Sequence, residues 1–233
     1  MTTNPTTIPS TTTMAFEPMI LKKTTAAGTI PESVIHRLPK IELHAHLNGC
    51  VRESTLLELA KERNVELSQQ HFCHNIHDSA SSKKNNNNNN RSLSDCFVVF
   101  DEIRKCVNDL PSLRRLTREA LEDFAQHRVA YVELRSTPKR LKRDYRAEDE
   151  EELCTKQDYI DTVLDEMQQF VQRNKKGMIP RLLISVDRSA SVEEATENMN
   201  LAIHIYERQQ EEEEGSHQFL VGADLGGNPT KAS

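Results

Sequence analysis

Four short apolar runs, separated by long segments of helical periodicity, constrain this 233-residue chain most tightly. The runs are KIELHAH (Lys40–His46), VAYVELR (Val129–Arg135), RLLISVD (Arg181–Asp187) and FLVGADL (Phe219–Leu225). In the first, Ile41, Leu43 and Ala45 alternate with Glu42, His44 and His46, which is strand spacing. Helical patterns fill the intervals at Glu53–Arg63, Ser94–Val107, Ser112–His127, Lys156–Arg173 and Ser191 to about Glu213. In Lys156–Arg173, for example, Ile160, Val163, Leu164, Met167, Phe170 and Val171 recur at helical intervals. Ser54 and Thr55 are the expected caps of the first of these helices. Strands joined by helices run parallel, and parallel sheets are covered by their helices. The fold class is therefore α/β. The four strands end in polar residues, His46, Ser136, Asp187 and Asp224, and ligands bind such sheets at the carboxyl ends of the strands.

The remaining chain is polar. Residues 1–33 are rich in Thr, Pro and Ser without a period and are expected to form a disordered tail. Residues 34–233 form the folded part, interrupted at about 67–92 by an insertion carrying six consecutive asparagines, Asn85–Asn90. The net charge of −6 argues against a nucleic-acid partner, since phosphate affinity needs a basic surface. No stretch approaches the roughly 20 apolar residues of a membrane span, and no secretory leader pattern opens the chain. Five cysteines, an odd number without a CxxC, read as reduced thiols in a cytoplasmic protein.

Spacing i, i+2 on a strand points His44 and His46 at one spot. Two such imidazoles make half of a zinc shell, and equally well two hydrogen-bonded polar residues at a strand end. A second cluster, His71, Cys73, His74 and His77, fits no standard zinc-finger spacing and reads as a polar loop. The HxE and PCxxC signature of cytidine-deaminase chemistry is absent, as are dinucleotide and P-loop motifs.

The stretch LPKIELHAHLNG (Leu38–Gly49) resembles the first strand of the adenosine-deaminase superfamily of metal-dependent aminohydrolases. YVELRSTPK (Tyr131–Lys139), LLISVDR (Leu182–Arg188) and VGADLGGNP (Val221–Pro229) resemble the next three strand ends of that family, in order. Asn48 and the RSTPK sequence are closest to the adenosine-deaminase-like branch that acts on N6-methyl-AMP. The resemblance runs from about Leu38 to Pro229 and implies a (β/α)8 TIM barrel, of which this chain carries about the first four β/α units. It further implies one Zn²⁺ per site, held in part by His44 and His46. Water activated there attacks C6 of the purine, a Glu protonates N1, and methylamine leaves to give IMP. Carried over by motif, His46, Asn48, Ser136, Thr137, Pro138, Lys139, Asp187 and Gly227 contact the substrate, a small purine nucleotide. Lys139 with Arg140 can face a phosphate dianion, although both also begin a charged run of the solvated kind. Asp187 equally suits a helix cap, and Gly226 and Gly227 a tight turn.

The family pattern continues with a third metal His, an HxxE proton donor, a further His and a zinc-ligating Asp. None of these follows the fourth strand before Ser233, so no catalytic proton donor is identifiable in this chain. The expectation is an N-terminal half-barrel with two open sheet edges, incomplete on its own, where a complete barrel of this type would be a monomer. Arg104 stands near a position where relatives carry a substrate-facing His, and Asn228 where an Asp is usual. Two rival functions remain: deamination of adenosine itself, and a non-catalytic isoform or interaction protein.

Overall fold

The computed structural model describes residues 32–67, 93–146, 153–174, 177–211 and 217–228. The expected tail, apart from its last two residues, and the asparagine-rich insertion with His71, Cys73, His74 and His77 lie outside the described residues. The elements run α1 (Glu32–Arg37), β1 (Lys40–His46), a 3-10 turn (Leu47–Gly49), α2 (Glu53–Glu62), α3 (Leu93–Cys106), α4 (Leu110–Gln126), β2 (Val129–Ser136), α5 (Lys156–Arg173), β3 (Ile179–Asp187), α6 (Val192–Glu211) and β4 (Leu220–Gly226). The order of strands and helices follows the sequence reading, with α1 as an addition.

Among the described residues the four strands form one parallel sheet in the order β1-β2-β3-β4. A doubly wound sheet reverses its strand order at a switch point. This one never reverses, which is the topology of the first four units of a (β/α)8 barrel. Alternation sorts the strands into two faces. Val132 and Leu134 of β2 and Leu182 and Ile184 of β3 are fully buried with Leu113, Leu116, Ile160, Val163 and Met167 of α4 and α5. Each such side chain stabilises the fold by roughly 1.5–3 kcal/mol. The opposite face carries Glu133, Arg135, Ser185 and Asp224 and is the inside of the barrel.

Local chemistry fixes the helix ends. Asp109 begins α4 with a reciprocal capping box, accepting from the Ser112 backbone N–H at 2.9 Å, and Pro111 lies in the first turn. The Asp109 carboxylate also accepts from the Tyr145 backbone N–H and from Arg63 Nη2, each at 2.9 Å, tying the end of α2 to the loop after β2. Thr155 caps α5 in the same way, with Asp158. The expected capping of α2 by Ser54 or Thr55 is not what forms. Arg52 is the N-cap and makes no side-chain cap bond, while the buried Thr55 hydroxyl donates to Glu119 Oε2 at 2.5 Å. Arg52 instead binds Asp123 through Nε and Nη2.

The two edge strands keep apolar side chains in solvent. Ile41 on β1 is 69% exposed and Leu225 on β4 is 64% exposed, and Val192, Met199, Ile203 and Tyr206 form an exposed stripe along α6. These are the faces that neighbouring units cover in a closed barrel.

Candidate active site at the strand carboxyl ends

His44 and His46 lie on the inner face at the end of β1, with ring centroids 5.2 Å apart. The strand is not regular beneath them. From Glu42 to Ala45 β1 advances three residues while β2 advances two, from Val132 to Leu134. This β-bulge frees the His44 backbone N–H from the ladder, and it donates to Glu42 Oε1 at 2.8 Å. The 3-10 turn that follows places Gly49 against the ring of Phe100. A Cβ at Gly49 would sit 3.1 Å from Phe100 Cε1. The Phe100 ring lies 6.4 Å from that of His46. Burial lowers the pKa of His46, and the neighbouring His44 and Arg135 lower it further against the opposing pull of Asp224. The ring is therefore neutral near pH 7, the form whose lone pair binds a metal.

A polar cluster underlies the imidazoles. Arg135 Nη1 donates to Asp224 Oδ2 at 2.6 Å, Arg135 Nη2 donates to the Leu43 carbonyl at the bulge at 2.8 Å, and the Ser185 hydroxyl donates to Asp224 Oδ1 at 2.5 Å. Arg135 and Asp224 are only 12% and 19% exposed. One guanidinium thus ties three strands together below the site. Sequence reasoning gave Arg135 and Ser185 no role, although their inward parity was available from the strand alternation.

Asn48 and Lys139 line one small enclosed cavity near the strand ends, together with Ile103, Arg104, Leu113, Leu141 and Tyr159. The Lys139 ammonium is pushed down to about 8, first by burial and then by Arg104, with Asp187 acting in the opposite direction. Asp187 closes β3 by accepting from the Ser189 N–H at 2.9 Å and its hydroxyl at 2.7 Å. Gly227 has φ 93°, and the Asp187 carboxylate occupies the space its Cβ would need. The strand ends thus bring together His44, His46, Asn48, Lys139, Asp187 and Gly227. Pro138 is buried and Thr137 half-buried in the same loop. The Ser136 side chain is directed elsewhere: it is buried on the helix-facing side, 2.7 Å from the Tyr159 hydroxyl. Arg140 turns away from the cavity toward Glu197, at 3.5 Å.

The donor set suits a borderline-soft divalent ion, because two imidazoles on one face supply half of a tetrahedral shell. Among the described residues no group of three or more His, Cys, Asp or Glu side chains could complete it.

A sequential parallel half-barrel whose first strand ends in paired imidazoles defines a class, the α/β-barrel hydrolases with their site at the strand carboxyl ends. The family model described as adenosine deaminase matches residues 39–219. An N6-mAMP deaminase of Arabidopsis thaliana is 38% identical over 210 residues, covering 84% of this chain and 53% of its own length. An N6-methyl-AMP deaminase of Danio rerio is 34% identical over 194 residues, covering 83% of this chain and 48% of its own. The crystal structure of an Arabidopsis relative complexed with IMP superposes with a TM-score of 0.64 at 35% identity, covering 86% of this chain and 53% of that one. The chain belongs to the adenosine deaminase family. It spans about half the length of the curated relatives it matches.

Proposed function

We propose that this chain supplies the first half of a zinc-dependent aminohydrolase site for N6-substituted adenine nucleotides, with N6-methyl-AMP converted to IMP and methylamine. The observation that carries the reading is the pairing of the His44 and His46 imidazoles, with ring centroids 5.2 Å apart at the carboxyl end of β1. His44 and His46 are the residues that would hold Zn²⁺. When bound, the ion supplies the Lewis acidity that makes water a nucleophile near neutral pH. The chain's own residues bind and orient. His46 and Asn48 face the purine, and Lys139 places a cation where a phosphate monoester needs one. Asp187 and Gly227 form a rigid turn at the rim against which the sugar is positioned. Thr137, Pro138 and Lys139 wrap the phosphate from the loop after β2, with Ser136 contributing its backbone because its hydroxyl is engaged by Tyr159.

Two protein-only features extend the reading. Cys50, Cys106 and Cys154 are free thiols, which suits a reducing, cytoplasmic setting. No described helix is long and apolar enough to cross a membrane. We propose the domain division read from the sequence, a tail over residues 1–33 and a partial barrel over 34–233 with an insertion at about 67–92, with α1 straddling that boundary from Glu32.

A rival reading is a non-catalytic chain that acts as an interaction protein. Calorimetry of the 233-residue chain with Zn²⁺ present separates the three cases. Tighter binding of N6-methyl-AMP than of adenosine supports the nucleotide site, the reverse order supports adenosine deamination, and binding of neither supports an interaction protein.

A further inference from the structure

The metal site proposed for His44 and His46, on which this inference rests, needs both rings on the inner face of the sheet. Ile41 stands level with Tyr131 on that face, and Glu42 stands level with Val132 on the helix side. Counted on from there without interruption, His46 would stand level with Ser136, whose side chain is buried on the helix side against Tyr159. His44 shares the parity of His46, so both imidazoles would leave the barrel interior. The bulge between Glu42 and Ala45 removes one step, and His46 stands level with the inward Arg135 instead. The inward direction of the pair is therefore set by the bulge.

One peptide unit carries the bulge. Neither Leu43 nor His44 has a register partner on β2. The N–H of their shared peptide, on His44, donates to Glu42 Oε1 at 2.8 Å, and its carbonyl, on Leu43, accepts from Arg135 Nη2 at 2.8 Å. Each end of the peptide thus meets a charged side chain, and hydrogen bonds to charged groups are the strong ones. Arg135 is fixed in turn, because its Nη1 donates to Asp224 Oδ2 at 2.6 Å and the Ser185 hydroxyl donates to Asp224 Oδ1 at 2.5 Å. A chain of polar contacts from β3 and β4 therefore ends on one carbonyl of β1. We infer that Arg135 and Glu42 are positioning residues for the metal pair: they hold the Leu43–His44 peptide out of the β1–β2 ladder and so turn His44 and His46 into the barrel. They act through the strand and not by contact with the ion. If either partner is lost, the freed peptide group is drawn back to the ladder. The register then slips by one residue, which carries both rings to the helix side.

The test reads ring position and zinc binding separately, by NMR of the 233-residue chain. Without metal, wild type should show nuclear Overhauser contacts between the His46 ring and Phe100, whose centroids lie 6.4 Å apart. Added Zn²⁺ should shift His44 and His46 together. Arg135→Met and Glu42→Ala should each lose the contact and weaken zinc binding about ten- to a hundredfold, the scale of losing an outer partner of a metal ligand. Glu42→Gln keeps an acceptor for the His44 N–H and should restore both readouts, and Arg135→Lys should restore them in part. Circular dichroism verifies each fold, and Glu42→Ala, at a half-buried edge position, decides the matter if Arg135→Met does not fold. Variants that lose stability yet keep the ring contact and the zinc affinity of wild type overturn the proposal while leaving the metal site standing. A wild type without the contact between His46 and Phe100 also overturns it. Zinc that leaves the wild-type rings unmoved, with the contact present and lost in both variants, removes the metal reading and supports the hold of Arg135 and Glu42 on the bulge.

Discussion

Replacing Asp224 by alanine removes the counter-ion of a guanidinium that spans three strands. Arg135 loses its 2.6 Å bond to Oδ2, and the Ser185 hydroxyl loses its 2.5 Å acceptor. Arg135 Nε is already without a partner, so the substitution leaves the guanidinium held chiefly through Nη2 and the Leu43 carbonyl. Removing one member of a buried ion pair costs about 3–5 kcal/mol. Asp224 keeps 19% of its side chain in solvent, so the expected loss is lower, about 2–4 kcal/mol. The pair itself is worth far less, since replacing both members by apolar residues of similar size is often neutral. Urea denaturation of Asp224→Ala, Arg135→Met, and Asp224→Leu combined with Arg135→Met measures this directly. Each single variant should lose about 2–4 kcal/mol, and the double variant less than the sum by more than about 1 kcal/mol. Additive losses, or a single-variant loss below about 0.5 kcal/mol, would refute a desolvated pair beneath the imidazoles.

Other perturbations test other parts of the molecule. Asp109→Ala removes the α4 cap and strips Arg63, whose side chain is 6% exposed, of its Nη2 partner. The expected loss is about 3–4 kcal/mol, read as a lower urea midpoint. Gly227→Ala forces a side chain into φ 93° against the Asp187 carboxylate, and should cost about 1–3 kcal/mol in thermal unfolding and weaken IMP binding. Lys139 titrates near 8 when folded against 10.5 when unfolded, so its charge opposes folding below pH 8 and the penalty fades as pH rises to 10.5. Lys139→Met should therefore be more stable than wild type at pH 7, with the difference vanishing above about pH 10.5. IMP binding to wild type should weaken as pH rises through 8, because the ammonium that meets the phosphate is then lost.

Periodicity exposes most of the fold. The parallel order follows because each apolar run is separated from the next by a helix long enough to cross over, and His44 and His46 are legible as a pair because strand spacing puts alternate residues on one face. What eludes sequence reading depends on partners distant in the chain. The β1 bulge is held by Glu42 from within and by Arg135 from the neighbouring strand, 92 residues after Leu43. Thr55 looks like a cap until Glu119 on α4 claims its hydroxyl. The motif puts Ser136 in the substrate loop, while its parity with Val132 and Leu134, legible from alternation, turns its side chain toward the helices. Arg140 is likewise near Lys139 in sequence but pairs with Glu197 on α6.

Side-chain ¹⁵N NMR of histidine in the 233-residue chain, titrated with Zn²⁺, tests the central claim most directly. His44 and His46 should shift together at the same zinc concentration, and His44→Ala should abolish the response at His46. Zinc that perturbs His71, His74 and His77 while leaving His44 and His46 unmoved would contradict a metal-binding pair at the end of the first strand.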